Sequence, residues 1–159
     1  MKRTVARKPA VVLVMTLVAV ALAGEARAQT APVSDPYDSL AAGKASFEKV
    51  CSACHGLDRP NGKTLDAAGW GALVDRMKSN GAGVNDENRG KILGWLTAKS
   101  TFDTKCSDCH GTDRPLGKAK TRADWTATVQ RMAGKKPGWV SDADAAAIAA
   151  YLAIVRPAP

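Results

Sequence analysis

The sequence predicts an all-α chain built from two tandem copies of one small helical module. Three observations carry that reading: the chain repeats itself, its apolar residues recur at helical spacing, and no convincing stretch alternates with the period of two that marks a strand. Laid on Cys106–Met132, the block Cys51–Met77 is identical at sixteen of 27 positions, Trp70/Trp125, Arg76/Arg131 and Met77/Met132 among them. Phe47 and Phe102, the chain's two phenylalanines, precede the two blocks at the same distance. Further on, the second copy is one residue longer, and Val84, Ile92, Trp95 and Leu96 then fall on Val140, Ile148, Tyr151 and Leu152.

The first 28 residues read as a sorting signal, not as structure. Lys2, Arg3, Arg7 and Lys8 form a basic start, Val11–Ala23 is an apolar run of 13 residues, and Ala26-Arg27-Ala28 is a small-x-small cleavage site. The run is short of the ~20 residues a membrane span needs. Cleavage after Ala28 and release into a bacterial periplasm by the general secretion route are therefore expected. No Cys precedes Cys51, which excludes lipid attachment at a new N-terminal Cys. The segment takes away five cations and one acid, half of the formal net charge of +8. A tail, 29–36, then leads into the first module, 37–100, and the second occupies 101–159.

Within each module the helices are expected in a fixed order. Asp35-Pro36 starts one running toward Val50, with Pro where a first turn tolerates it; the second copy has a shorter equivalent over roughly 99–105. A loop rich in Gly and Pro follows over 55–64. Trp70, Leu73, Val74 and Met77 fall at i, i+3, i+4 and i+7, one face of a helix, and Trp125, Val129 and Met132 repeat it. Asn85 and Ser141 are good N-caps for a last helix in each copy. A module of this size buries too little apolar surface to be stable on its own. Something besides side chains must fill its centre.

The cysteines say what. All four Cys and both His lie in Cys51-Ser52-Ala53-Cys54-His55 and Cys106-Ser107-Asp108-Cys109-His110. Cys-x-x-Cys-His is the attachment signature of haem c. Two thiols a helical turn apart can each add to one vinyl group of a flat porphyrin, and the next residue delivers an imidazole to the iron from the same side. Two copies in matched repeats, with no Cys or His to spare, point to two covalently attached haems c. A thioredoxin-like Cys pair expects a βαβ context that is absent here. A zinc site from two Cys-x-x-Cys pairs is possible by spacing but leaves both following His unexplained. A disulfide within Cys-x-x-Cys suits an exported chain yet restrains little of it.

These residues resemble a di-haem c-type cytochrome of the class I kind, over Tyr37 to about Val155, and Gly43-x-x-x-Phe47 is similar to that family's N-terminal helix. The resemblance implies a small helical fold around each haem, with the helix before the motif packed on a C-terminal helix. The family usually carries its axial Met later in the chain. The Trp-x6-Met pattern here is similar instead to haem domains paired with quinohaemoprotein amine or sulfite dehydrogenases.

With both His used as proximal ligands, bis-His coordination is impossible within one chain. Met1 and Met15 lie in the sorting signal, which leaves Met77 and Met132, one per repeat. A thioether is a soft ligand used opposite His, where it raises the reduction potential. Met77 and Met132 are therefore the candidate sixth ligands, against the plainer reading that each ends an apolar helical stripe as core. Lys63 and Lys118 are reserve ligands, and an open sixth position is the remaining alternative. Arg59, Arg114, Lys63 and Lys118 can pair with propionates or be solvated loop charge. Trp70 and Trp125 are expected to pack on a haem face or edge.

The function expected is that of a periplasmic electron carrier, not an enzyme, passing single electrons from a dehydrogenase toward an oxidase or another cytochrome. The alternative is a haem enzyme or a gas-binding sensor with one iron open. A nucleic-acid partner needs a basic face with aromatics, and four haem propionates would offset the +4 left after cleavage.

Overall fold

The computed structural model describes residues 35–159; the expected sorting signal, with Met1 and Met15, and nearly all of the tail after it lie outside the described residues. Seven helices form among the described residues: α1 (Tyr37–Cys51), α2 (Asp58–Asn61), α3 (Ala67–Ser79), α4 (Asp86–Cys106), α5 (Asp113–Leu116), α6 (Arg122–Ala133) and α7 (Asp142–Val155). No strand forms among these residues, only a lone bridge between Lys120 and Pro157. The described residues are all-α, as expected, and none of their helices is long and apolar enough to cross a membrane.

Local chemistry sets most of these boundaries. The Tyr37 amide donates to the Asp35 carboxylate at 2.9 Å as α1 opens behind Pro36. Asp66 and Thr121 cap α3 and α6, accepting from Gly69 N–H at 2.7 Å and Asp124 N–H at 3.2 Å. Reciprocal capping boxes, Asn85 with Asn88 and Ser141 with Asp144, start α4 and α7. Each such cap is worth ~1 kcal/mol.

Two elements differ from expectation. The segment 55–64 is not loop throughout: Asp58-Arg59-Pro60-Asn61 makes the single turn α2, repeated by α5. Pro60 is its third residue, where a helical N–H has no partner to lose. The second difference is larger. The short helix expected over 99–105 is not separate; it is the end of α4, 21 residues without a break. No Gly or Pro lies between Leu96 and Cys106 to stop it, and Lys99 clamps Asp103 one turn on at 2.6 Å. The boundary expected between residues 100 and 101 falls inside this helix.

The core lies where α1, α4 and α7 meet, each packing on the other two. Gly43 of α1 is buried against α4, so close that a Cβ there would sit 2.5 Å from the Lys91 carbonyl oxygen and 3.1 Å from Trp95 Cβ. Tyr151 of α7 lies against both Trp95 and Phe102 of α4, ring centroids 5.0 and 5.4 Å apart. α3 packs on α4 as α6 packs on α7. Trp70 and Trp125 are fully buried, and each indole N–H is satisfied, by Ser100 Oγ at 2.8 Å and by the Arg156 carbonyl at 2.9 Å. The Arg122 guanidinium pairs with Asp35 and lies over the Tyr37 ring, tying the start of α1 to α6.

Candidate functional site

The C-terminal turn of α1 delivers Cys51, and the chain turns at once through Cys54 and His55 before α2; α4 delivers Cys106, with Cys109 and His110 before α5, in the same way. Each set opens onto a cavity. The first, about 380 Å³, is lined by Cys51, Cys54, His55 and Met77, with Phe47, Leu73, Val74, Ile92 and Leu96 among its apolar walls. The second, about 540 Å³, is lined by Cys106, Cys109, His110 and Met132, with Trp125, Val129, Ile148 and Leu152. Both volumes fall in the ~300–1,000 Å³ range of cofactor pockets. All eight residues singled out in the sequence are thus brought together four by four.

The imidazoles are held in similar ways. Nδ1 of His55 lies 2.9 Å from the Gly56 carbonyl, and Nδ1 of His110 lies 3.0 Å from the Gly111 carbonyl. In the tautomer that donates from Nδ1, the lone pair stays on Nε2, and the bond fixes the ring for a metal. Gly56 and Gly111 leave the room this turn needs, because the carboxylates of Asp58 and Asp113 fold into the space a Cβ would take.

No disulfide joins any two of the four cysteines. Burial pushes the Cys51 thiol up, and burial with help from Asp103 pushes Cys106 up to about 11. Redox-active and metal-binding cysteines have depressed pKa values; these two shift the other way. The two Cys pairs line different cavities, and among the described residues no three His, Cys, Asp or Glu gather closely enough to hold a metal ion. A four-cysteine zinc site is therefore not assembled.

The donor set fits haem c. Each cavity offers two cysteine sulfurs for the ring edge, one imidazole with Nε2 available, one soft thioether and apolar walls. No Asp or Glu lines either cavity, and cations do: Arg59, Lys63 and Arg76 in the first, Arg114, Lys118 and Arg131 at matched positions in the second. Arg76 and Arg131 were legible as repeat identities but carried no expected role. Trp125 lines the second cavity, whereas Trp70 is not among the residues lining the first. Met77 is half-buried; Met132 is 42% exposed.

A family model described as cytochrome C oxidase, cbb3-type, subunit III matches residues 94–152. The match covers the second Cys-x-x-Cys-His and Met132 and stops short of the first motif. No curated protein and no solved structure gives a match. Lying over a cavity of this composition, the family match supports a c-type cytochrome, and with it covalently bound haem and electron transfer as the general activity.

Proposed function

We propose that the chain is an exported di-haem cytochrome c that carries single electrons in the periplasm, from a dehydrogenase to an oxidase or another cytochrome. Its two modules, 37–100 and 101–159, would share α4. The observation that supports this is the gathering of one Cys pair, one Nδ1-tethered His and one Met in each of two cavities. Bound there, haem c supplies one-electron Fe(III)/Fe(II) exchange. Cys51, Cys54, Cys106 and Cys109 would hold the two rings, and His55 with Met77 and His110 with Met132 would hold the irons. Were His and Met both to bind each iron, neither would offer a substrate a site, and the chain would be a carrier, not an enzyme. Phe47, Leu73, Ile148 and Leu152 would keep water from the ring. Arg59, Arg76, Arg114 and Arg131 offer forked donors to propionates at the rim.

The test is spectroscopic. Mass measurement of the denatured protein should find two covalent haems, and one in Cys51→Ser/Cys54→Ser. The weak red absorption band of ferric Met–iron should fall stepwise in Met77→Ala and in the Met77→Ala/Met132→Ala double variant; a spectrum unchanged in the double variant would sink the ligand assignment. The exposure of Met132 favours a second reading, in which the second site is open and the chain is a haem enzyme or ligand-binding sensor. Carbon monoxide added to the reduced protein separates the two: rapid binding at neutral pH supports the sensor, no spectral change the carrier.

A further inference from the structure

The rims of the two cavities differ in charge. Arg59/Arg114, Lys63/Lys118 and Arg76/Arg131 line both, at matched positions, and serve whatever the two sites share. The second cavity adds Lys105, Lys120, Lys135 and Lys136. In the first repeat Val50 and Leu65 stand where Lys105 and Lys120 do, and the loop after α3 is uncharged where α6 is followed by Lys135 and Lys136. The same loop carries Trp139 where the first repeat has Gly83.

Trp139 is held in place. Lys105 and Lys136 bracket its ring, with ammonium groups 4.3 and 4.2 Å from the ring centroid. The Lys105 ammonium donates to the Trp139 carbonyl at 2.8 Å, and the indole N–H donates back to the Lys105 carbonyl at 3.3 Å. The ring is half-exposed at the rim. The added lysines outnumber the acids beside them: Lys136 pairs with Asp108 at 2.6 Å and Lys105 lies 3.8 Å from Asp144. Lys120 donates to the Thr128 hydroxyl, and Lys135 has no acid partner among the described residues.

We propose that this rim, Lys105, Lys120, Lys135 and Lys136 together with Trp139, is the surface on which the acidic face of a redox protein docks, and that the rim of the first cavity is not. The proposal rests on the electron-carrier reading and adds to it the side of the molecule that meets a partner. Charge complementarity selects the occupant: a cationic ring speeds and orients encounter with an acidic face. A tryptophan fixed on this rim by Lys105 and Lys136 is of the residue type enriched among interface anchors. The first cavity has the cations common to both sites but neither the added lysines nor the tryptophan.

The probe is an oxidised plant-type ferredoxin, an acidic one-electron protein, titrated calorimetrically into the di-haem holoprotein at low and at physiological salt. Binding should weaken with salt. At low salt Lys135→Gln/Lys136→Gln should weaken it roughly tenfold. Trp139→Gly, which restores the residue of the first repeat, should weaken it roughly tenfold with the salt dependence retained. Lys44→Gln/Lys91→Gln, charge of the first repeat paired with Glu48 and Glu87, should leave it unchanged. Equal binding by parent and both rim variants overturns the proposal, as does an equal loss in the Lys44/Lys91 variant. A shift of the haem spectrum in the rim variants with binding intact also overturns it, because those lysines then serve the propionates. A chain that takes no electron from dithionite overturns the carrier reading itself; one that is reduced by dithionite but binds ferredoxin regardless of the rim overturns this proposal alone.

Discussion

Gly43→Ala tests the helix crossing that walls the first cavity. The added methyl would stand 2.5 Å from the Lys91 carbonyl oxygen and 3.1 Å from Trp95 Cβ, both on α4. The first is backbone, which has no rotamer to escape into, so α1 and α4 must move apart. Overpacking of this kind costs ~1–3 kcal/mol. Alanine offsets part of that, because it is better than glycine inside a helix by ~1 kcal/mol. Because the contact is with rigid backbone, the cost lies at the upper end of that range, and the net expectation is a loss of about 2 kcal/mol, equivalent to a fall in Tm of about 8 °C for a domain of this size. Ala98, the matched residue in the second repeat, is buried 3% exposed with its methyl in place. Ala98→Gly should therefore also destabilise, by about 2 kcal/mol, through lost helix preference and a lost buried methyl. Guanidinium unfolding of the holoprotein, followed by helical circular dichroism, measures both. Because α1 carries Phe47 and Cys51 while α4 carries Ile92 and Leu96, Gly43→Ala should disturb the first cavity's ligand band and spare the second. A Gly43→Ala protein as stable as its parent, or more so, refutes the close-approach argument.

Ser100→Ala removes the acceptor of the Trp70 indole N–H, whose ring is wholly buried, and should cost ~1–3 kcal/mol in the same unfolding assay. Tyr151→Phe addresses alkaline stability. Burial, then the Asp103 carboxylate, pushes the Tyr151 phenol up to about 12 from 10.0. The unfolded chain loses this proton first, so the contribution is whole below pH ~10 and lost as pH rises from about 10 to 12, by at most ~3 kcal/mol. The phenylalanine variant should show a flatter decline in unfolding free energy over that range; a decline as steep as the parent's refutes the assignment.

What the sequence made legible was local or repeated. Cys51-x-x-Cys54-His55 is read at a glance because its geometry lies within one turn of chain, and the caps Asn85 and Ser141 because their partners are three residues away. The repeat paired Met77 with Met132 without any knowledge of distance. Other features depend on contacts far apart in sequence. Trp70 and Trp125 are identical neighbours of matched motifs, yet only Trp125 lines a cavity; a repeat match does not carry side-chain surroundings with it. The bracket of Lys105 and Lys136 around Trp139 joins two segments 31 residues apart, across α5 and α6. The continuity of α4 is hidden in the sequence for a different reason. Two repeats invite a boundary between them, while the residues from Thr97 to Thr101 contain nothing that ends a helix.

That continuity restricts how the chain can change length. One residue added to α4 near Ser100 would turn everything beyond it by about 100° and advance it about 1.5 Å. Phe102 would leave Tyr151, and the second set of ligands would face a new direction relative to the first. The two copies are accordingly in register through α4, and the single extra residue that separates them lies elsewhere, in the open loop between α6 and α7. Length can change in that loop without turning α4, and it is the loop where Trp139, Lys135 and Lys136 stand.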